Sequence, residues 1–66
     1  MVVQINGEDR EIALGLSVAQ LLEQLAIRPA RVVVELNRNV LSRDDFATTA
    51  LKEGDKIEIV HFVGGG

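Results

Sequence analysis

Apolar residues first recur at every second position. Val3 and Ile5 share one parity within residues 2–5, the period of a half-buried strand. Asn6-Gly7 follows, and that pair signals a hairpin, because a type I′ turn needs positive φ at both central residues. The returning strand is expected over residues 10–14, with Ile12 and Leu14 on the buried parity and Gly15 breaking the pattern. The period then changes. Ser17 is placed as an N-cap with Gln20 three residues on, a capping box, and Leu16 and Leu21 are spaced as a hydrophobic staple. Val18, Leu21, Leu22 and Leu25 form one apolar stripe, while Gln20, Glu23 and Gln24 face water. The helix is expected to stop near Ala26 or Ile27, since Pro29 disfavours a helical Arg28.

Beyond the helix the period returns to two. Residues 31–36 read as a strand with Val32, Val34 and Leu36 inward, and Val33 and Glu35 outward. Asn37-Arg38-Asn39 is a turn, Val40 and Leu41 a short strand, and residues 43–49 an irregular segment carrying Phe46. Lys52-Glu53-Gly54-Asp55 is a second turn before a last strand over residues 56–63. There Ile57 and Ile59 point inward, and Lys56, Glu58, Val60 and Phe62 outward. A hairpin, one helix and further strands imply an α+β domain with the helix on one sheet face.

Composition narrows the function classes. With 66 residues the chain holds one small domain, and 47% apolar content with a single proline is globular. It has no cysteine and one histidine, so neither a disulfide nor a Cys/His zinc site can be assembled. A net charge of −3, with no Trp, no Tyr and two Phe, is the wrong balance for nucleic-acid binding. There is no signal-peptide pattern and no apolar run of membrane length, so a cytoplasmic location is expected.

These pieces resemble the β-grasp family of ubiquitin-like proteins, and within it the bacterial sulfur carriers of thiamine (thiazole) biosynthesis. The resemblance rests on the Asn6-Gly7 hairpin, the Ser17-Val18 helix start with its paired leucines, and Val32-Val33-Val34-Glu35-Leu36-Asn37. It continues through Arg43, Phe46 and residues 51–60 to Val63-Gly64-Gly65-Gly66, and so covers essentially the whole chain. It departs at Arg38, where the family commonly has glycine. The resemblance implies a mixed sheet of four to five strands with one main helix packed on one face. It places the domain at residues 1–63 and a flexible glycine tail at residues 64–66.

The tail is the expected chemical site. Glycine has no side chain to clash, so Gly64 and Gly65 can thread a narrow channel and present the carboxylate of Gly66. The bland alternative is an inert or solubilising tail. The resemblance implies that an ATP-consuming, E1-like enzyme adenylates Gly66. It further implies that a sulfur donor such as a cysteine desulfurase supplies the sulfur of a thiocarboxylate, and that thiazole synthase accepts it. The chain itself has no nucleophile–base pair, so it is expected to be a protein co-substrate and not an enzyme, binding no cofactor or metal of its own. It is expected to be monomeric when free, with no nucleic-acid or membrane partner.

A docking face follows from parity. Val33, Val60 and Phe62 fall on the outward side, as does Val2, and an exposed apolar patch marks partner sites more often than chance. Phe62 could instead simply cover the sheet edge. Other polar residues read as structural: His61 as a partly exposed side chain, Glu8, Asp9 and Glu11 as solvated hairpin acids, and Asp44 and Asp45 as turn residues. Three alternatives share the fold. They are a related sulfur carrier (the small subunit of molybdopterin synthase, or a carrier for tRNA thiolation or cysteine synthesis), a protein modifier joined to lysine through Gly66, and an interaction module with an inert tail.

Overall fold

The computed structural model describes residues 1–62. Five strands form one mixed sheet: β1 (Val2–Ile5), β2 (Glu8–Glu11), β3 (Val32–Leu36), β4 (Asn39–Leu41) and β5 (Lys56–His61), in the spatial order β2-β1-β5-β3-β4. One helix, α1 (Val18–Gln24), covers one face. The last strand lies at the centre, parallel to β1 and antiparallel to β3. A parallel pair needs a long crossover, and here nearly the whole chain supplies it.

The turn Asn6-Gly7 has the expected positive φ values, 49° and 84°. So tight a turn sets Glu8 directly opposite Ile5, and β2 therefore starts at Glu8, ahead of the expected residue 10. Its end is also earlier than expected. The last rung joins the Ile12 N–H to the Met1 carbonyl, after which the chain leaves the ladder through Gly15 at φ 75°. Ile12 is buried as expected, but Leu14 is not: it is 82% exposed, because strand parity no longer applies once pairing has stopped.

The helix start follows from local chemistry. Ser17 Oγ accepts from the Gln20 N–H, and Gln20 Oε1 accepts from the Ser17 N–H. The two N–H groups at Val18 and Ala19, which no helix can satisfy internally, donate to the carbonyls of Thr49 and Phe46. The segment after β4 thus docks on the helix start, with Phe46 buried beneath it. At the other end Ala26 takes a left-handed conformation, φ 58°. Its N–H donates to the Glu23 carbonyl and that of Ile27 to the Leu22 carbonyl, a Schellman ending. The helix therefore stops at Gln24, slightly before the expected end. Arg28 is extended ahead of Pro29, and Pro29–Arg31 form one short 3-10 turn that takes the first position of the expected third strand.

The core is a single apolar layer between α1 and the sheet. Val18, Leu21 and Leu22 meet Val3, Val32, Val34, Ile57 and Ile59, with Leu16, Phe46 and Leu51 closing one end. Among the described residues no polar or charged side chain is buried.

Two asparagines link the hairpin turns to the central strand. Asn6 Oδ1 accepts from the Ile59 N–H at 2.7 Å, and its Nδ2 donates to the Ile59 carbonyl at 3.3 Å. Asn37 Oδ1 accepts from the Lys56 N–H at 3.0 Å, while its Nδ2 donates to Asp55 Oδ1. Both sit at the first position of a type I′ turn, with Gly7 and Arg38 (φ 72°) at the second. Arg38 makes the left-handed turn without glycine's freedom. Replacing Arg38 with Gly should therefore stabilise the domain by ~0.5–1 kcal/mol, less than the full left-handed penalty because glycine also loosens the unfolded chain. Asn6→Gly should have the opposite sign, costing about 1–2 kcal/mol, because it relieves the same backbone strain but leaves the Ile59 peptide without its partners. Urea unfolding of both variants measures this contrast, and equal signs would contradict it.

Candidate functional site

The candidate site is built at the C-terminal end of β5, where the chain leaves the sheet. Alternation along this strand assigns each side chain to a face. Ile57 and Ile59 are buried under α1, and His61 follows on the same side, exposed at the edge of that layer. Lys56, Glu58 and Val60 point to the open face. The end of the strand is fixed from two sides: Asn6 holds the Ile59 peptide, and the Phe62 N–H donates to the Arg31 carbonyl at 3.0 Å.

On the open face Val60 stands directly opposite Val33 on the neighbouring strand. The structure therefore brings together two of the three expected docking residues, with Phe62 just beyond the strand. Val60 is 56% and Phe62 53% exposed, while Val33 is half-buried by its neighbours. Val2 also lies on this face, partly exposed. Sequence reading missed Val40, which pairs with Glu35 and so shares the open face at 70% exposure. Its place depends on the β3–β4 register, which the turn at Asn37-Arg38 sets.

The open face is also acidic. Glu35 and Glu58 are cross-strand partners, and Asp9 and Glu11 reach the same face from β2 through their pairing with Gln4 and Val2. Like charges set directly opposite each other lower stability. Such a pair costs the fold some stability, on a face that also carries exposed valines.

The remaining polar residues are placed as structural groups. Asp55 Oδ2 accepts from the Lys52 N–H and closes its turn, and the Asp45 carbonyl accepts from the hydroxyls of Thr48 and Thr49. Glu11 pairs with the terminal ammonium at 2.6 Å. Among the described residues no group of three His, Asp or Glu side chains could hold a metal ion, and no helix is long and apolar enough to cross a membrane. The described part of the site offers two surfaces that meet at the end of β5. The expected tail residues Gly64, Gly65 and Gly66 lie outside the described residues, as does Val63.

Known proteins resemble this chain over its full length. The family model described as the ThiS family matches residues 3–66. The sulfur carrier protein ThiS of Bacillus subtilis is 35% identical over 66 residues, covering 98% of this chain and 100% of that protein. A thiazole synthase of Magnetococcus marinus is 41% identical over 66 residues, all of this chain but only 20% of that protein. A second thiazole synthase, from Paramagnetospirillum magneticum, is likewise matched over 20% of its length, so this chain spans about a fifth of both. Among solved structures, the crystal structure of the thiamine biosynthesis protein ThiS from Geobacter metallireducens superposes with a TM-score of 0.87 at 39% identity, covering 100% of both chains. A match over nearly every residue, together with the helix-on-mixed-sheet architecture, shows that this β-grasp chain belongs to the ThiS family.

Proposed function

We propose that the chain is a cytoplasmic sulfur carrier for the thiazole ring of thiamine, with Gly66 as the residue that bears the sulfur. The observation that carries this reading is the union of a ThiS-family β-grasp domain with the sequence Val63-Gly64-Gly65-Gly66, which begins one residue past its central strand. In this reading residues 1–63 are the domain and 64–66 a thread into partner active sites.

A carboxylate is a poor electrophile, and the chemistry has to correct that. An oxygen of the Gly66 carboxylate attacks the α-phosphorus of ATP on an E1-like enzyme, and pyrophosphate leaves. The acyl-adenylate has a good leaving group, so the terminal sulfur of a persulfide on the donor adds to the acyl carbon and AMP departs, leaving an acyl disulfide. A thiol then attacks the donor-side sulfur, forming a new disulfide and releasing the thiocarboxylate, whose sulfur passes to the thiazole synthase. The only group this chain contributes to these steps is the Gly66 carboxylate itself, and in this reading the partner enzymes supply the rest of the chemistry. Two glycines before Gly66 leave the reacting carbon without lateral bulk, and this suits a narrow channel. ATP is consumed by the partner, and the sulfur donor is a cysteine desulfurase or a similar enzyme. Relatives in which such a domain forms part of a thiazole synthase support that enzyme as the sulfur acceptor.

The test is intact mass after incubation with ATP, a sulfur donor and the activating enzyme of the same organism. One oxygen should be replaced by sulfur, and fragmentation should localise the exchange to Gly66. Deleting Gly66, or placing Trp at Gly65, should abolish this product while the circular dichroism stays native. Normal adenylation of the truncated chain would overturn the proposal. Stable lysine conjugates surviving thiol treatment would favour a protein modifier instead.

The open face is proposed to dock the activating enzyme through Phe62, Val60 and Val33. Phe62→Ala should weaken that complex by about tenfold or more, since exposed aromatics carry a large share of interface energy. Titration calorimetry with the folded variant measures it, and unchanged affinity would remove Phe62 from the interface.

A further inference from the structure

Three clefts meet at Ile27 on the helix side of the sheet, beside the end of β5, where Phe62 borders both the second cleft and the open face. The first, about 280 Å³, is floored by Ile5, Leu25, Ile27 and Ile59, with Arg10 and His61 at its rim. The second, about 410 Å³, opens between Arg28, Arg31, His61 and Phe62. The third, about 450 Å³, continues past Ala19 and Pro29.

Their charge is opposite to that of the chain. Arg10, Arg28 and Arg31 are three of only seven Lys and Arg residues in a protein of net charge −3, and His61 is its single histidine. All four are exposed, and no arginine among them forms a salt bridge within the described residues. Only Glu8 and Glu23 oppose them along the clefts. Across the sheet the balance is reversed, with Asp9, Glu11, Glu35 and Glu58 against Lys56 and the terminal ammonium that pairs with Glu11.

The two arginines nearest the exit are held in place by the backbone. Arg28 is the extended cap and Arg31 the last residue of the 3-10 turn opened by Pro29, and both line the second cleft. The Arg31 carbonyl accepts from the Phe62 N–H, which fixes this turn to the end of β5. An apolar floor with a basic rim is the anatomy of a protein interface. A free anion is a poorer occupant, because no buried polar side chain points into the clefts to hold it.

We propose that this groove is a second docking surface, and that it receives a carboxylate-lined rim on the thiazole synthase while the tail enters that enzyme. The inference rests on the sulfur-carrier reading above. It gives the two faces that converge on the exit different partners: an acidic, valine-bearing face for one enzyme and a basic groove for the other.

The experiment titrates the full chain into the thiazole synthase of the same organism at low and high salt. Arg28→Glu combined with Arg31→Glu should weaken binding at low salt by about tenfold or more and flatten its salt dependence. Arg28→Gln with Arg31→Gln should give an intermediate loss. Arg38→Glu with Lys52→Glu makes the same change in net charge at the opposite pole of β5, and should stay within about threefold of wild type. If the Arg28/Arg31 reversal binds like wild type, or the distal control loses as much, the inference is overturned while the carrier reading stands. Wild-type protein that forms the thiocarboxylate yet fails to bind the synthase overturns the choice of partner. Failure to form the thiocarboxylate at all overturns the carrier reading and this inference together.

Discussion

The structure depends on holding β5 at the centre of the sheet. This strand is the last in sequence, and its parallel pairing with β1 covers only Gln4 with Lys56 and Ile5 with Ile57. Two register positions are a short parallel ladder, and parallel pairing is slightly weaker per residue than antiparallel. Asn6 extends it. Its side chain supplies both a donor and an acceptor to the Ile59 peptide, as another residue of β1 would have done. Asn37 gives the same support to Lys56 at the other end. Each asparagine also forms its own turn, so one residue type closes a hairpin and fixes the neighbouring strand. With β5 placed, its alternation decides which side chains meet α1, which form the open face, and where the chain exits.

Much of this was legible in the sequence wherever local chemistry decides it. Ser17 and Gln20 form the capping box that their spacing predicts, and Asn6-Gly7 has the expected backbone. The inward parity of Val32, Val34, Ile57 and Ile59 follows directly from alternation. The errors occur where a non-local fact decides. Leu14 carries the right residue type for a strand, but the ladder ends at Ile12 and no pattern within residues 10–14 records that. The stop at Gln24 comes from Ala26 taking a left-handed conformation that alanine does not advertise. Asn6 and Asn37 signal turns, yet their reach to β5 depends on a strand some twenty to fifty residues away. Val40 becomes part of the open face only through the register of β3 and β4.

The candidate site shows the same division. Val33, Val60 and Phe62 could be placed from parity because they belong to strands or continue one. The basic groove could not, because Arg10, Arg28, Arg31 and His61 come from an edge strand, a 3-10 turn and the end of β5. Tertiary pairing alone gathers them. Separated along the sequence, the same residues read as ordinary solvated charges.

A small domain has little stability to spare, so local costs that the fold does not require point to what the surface is for. The core is wholly apolar among the described residues, and it contains no polar network that would restrict the outer faces. The facing Glu35 and Glu58 lower stability without contributing to the core. A carrier in the proposed role has to engage one enzyme, leave, and engage another, so very tight binding to either would slow turnover. Charged rims suit this requirement, because electrostatic complementarity raises association rates and selects partners more than it deepens affinity. In that role, opposite charge on the two faces separates the partners by sign, and both faces meet at the end of β5. Strand alternation makes this economical on the open side: changing Lys56, Glu58 or Val60 alters that face and leaves Ile57 and Ile59 in the core.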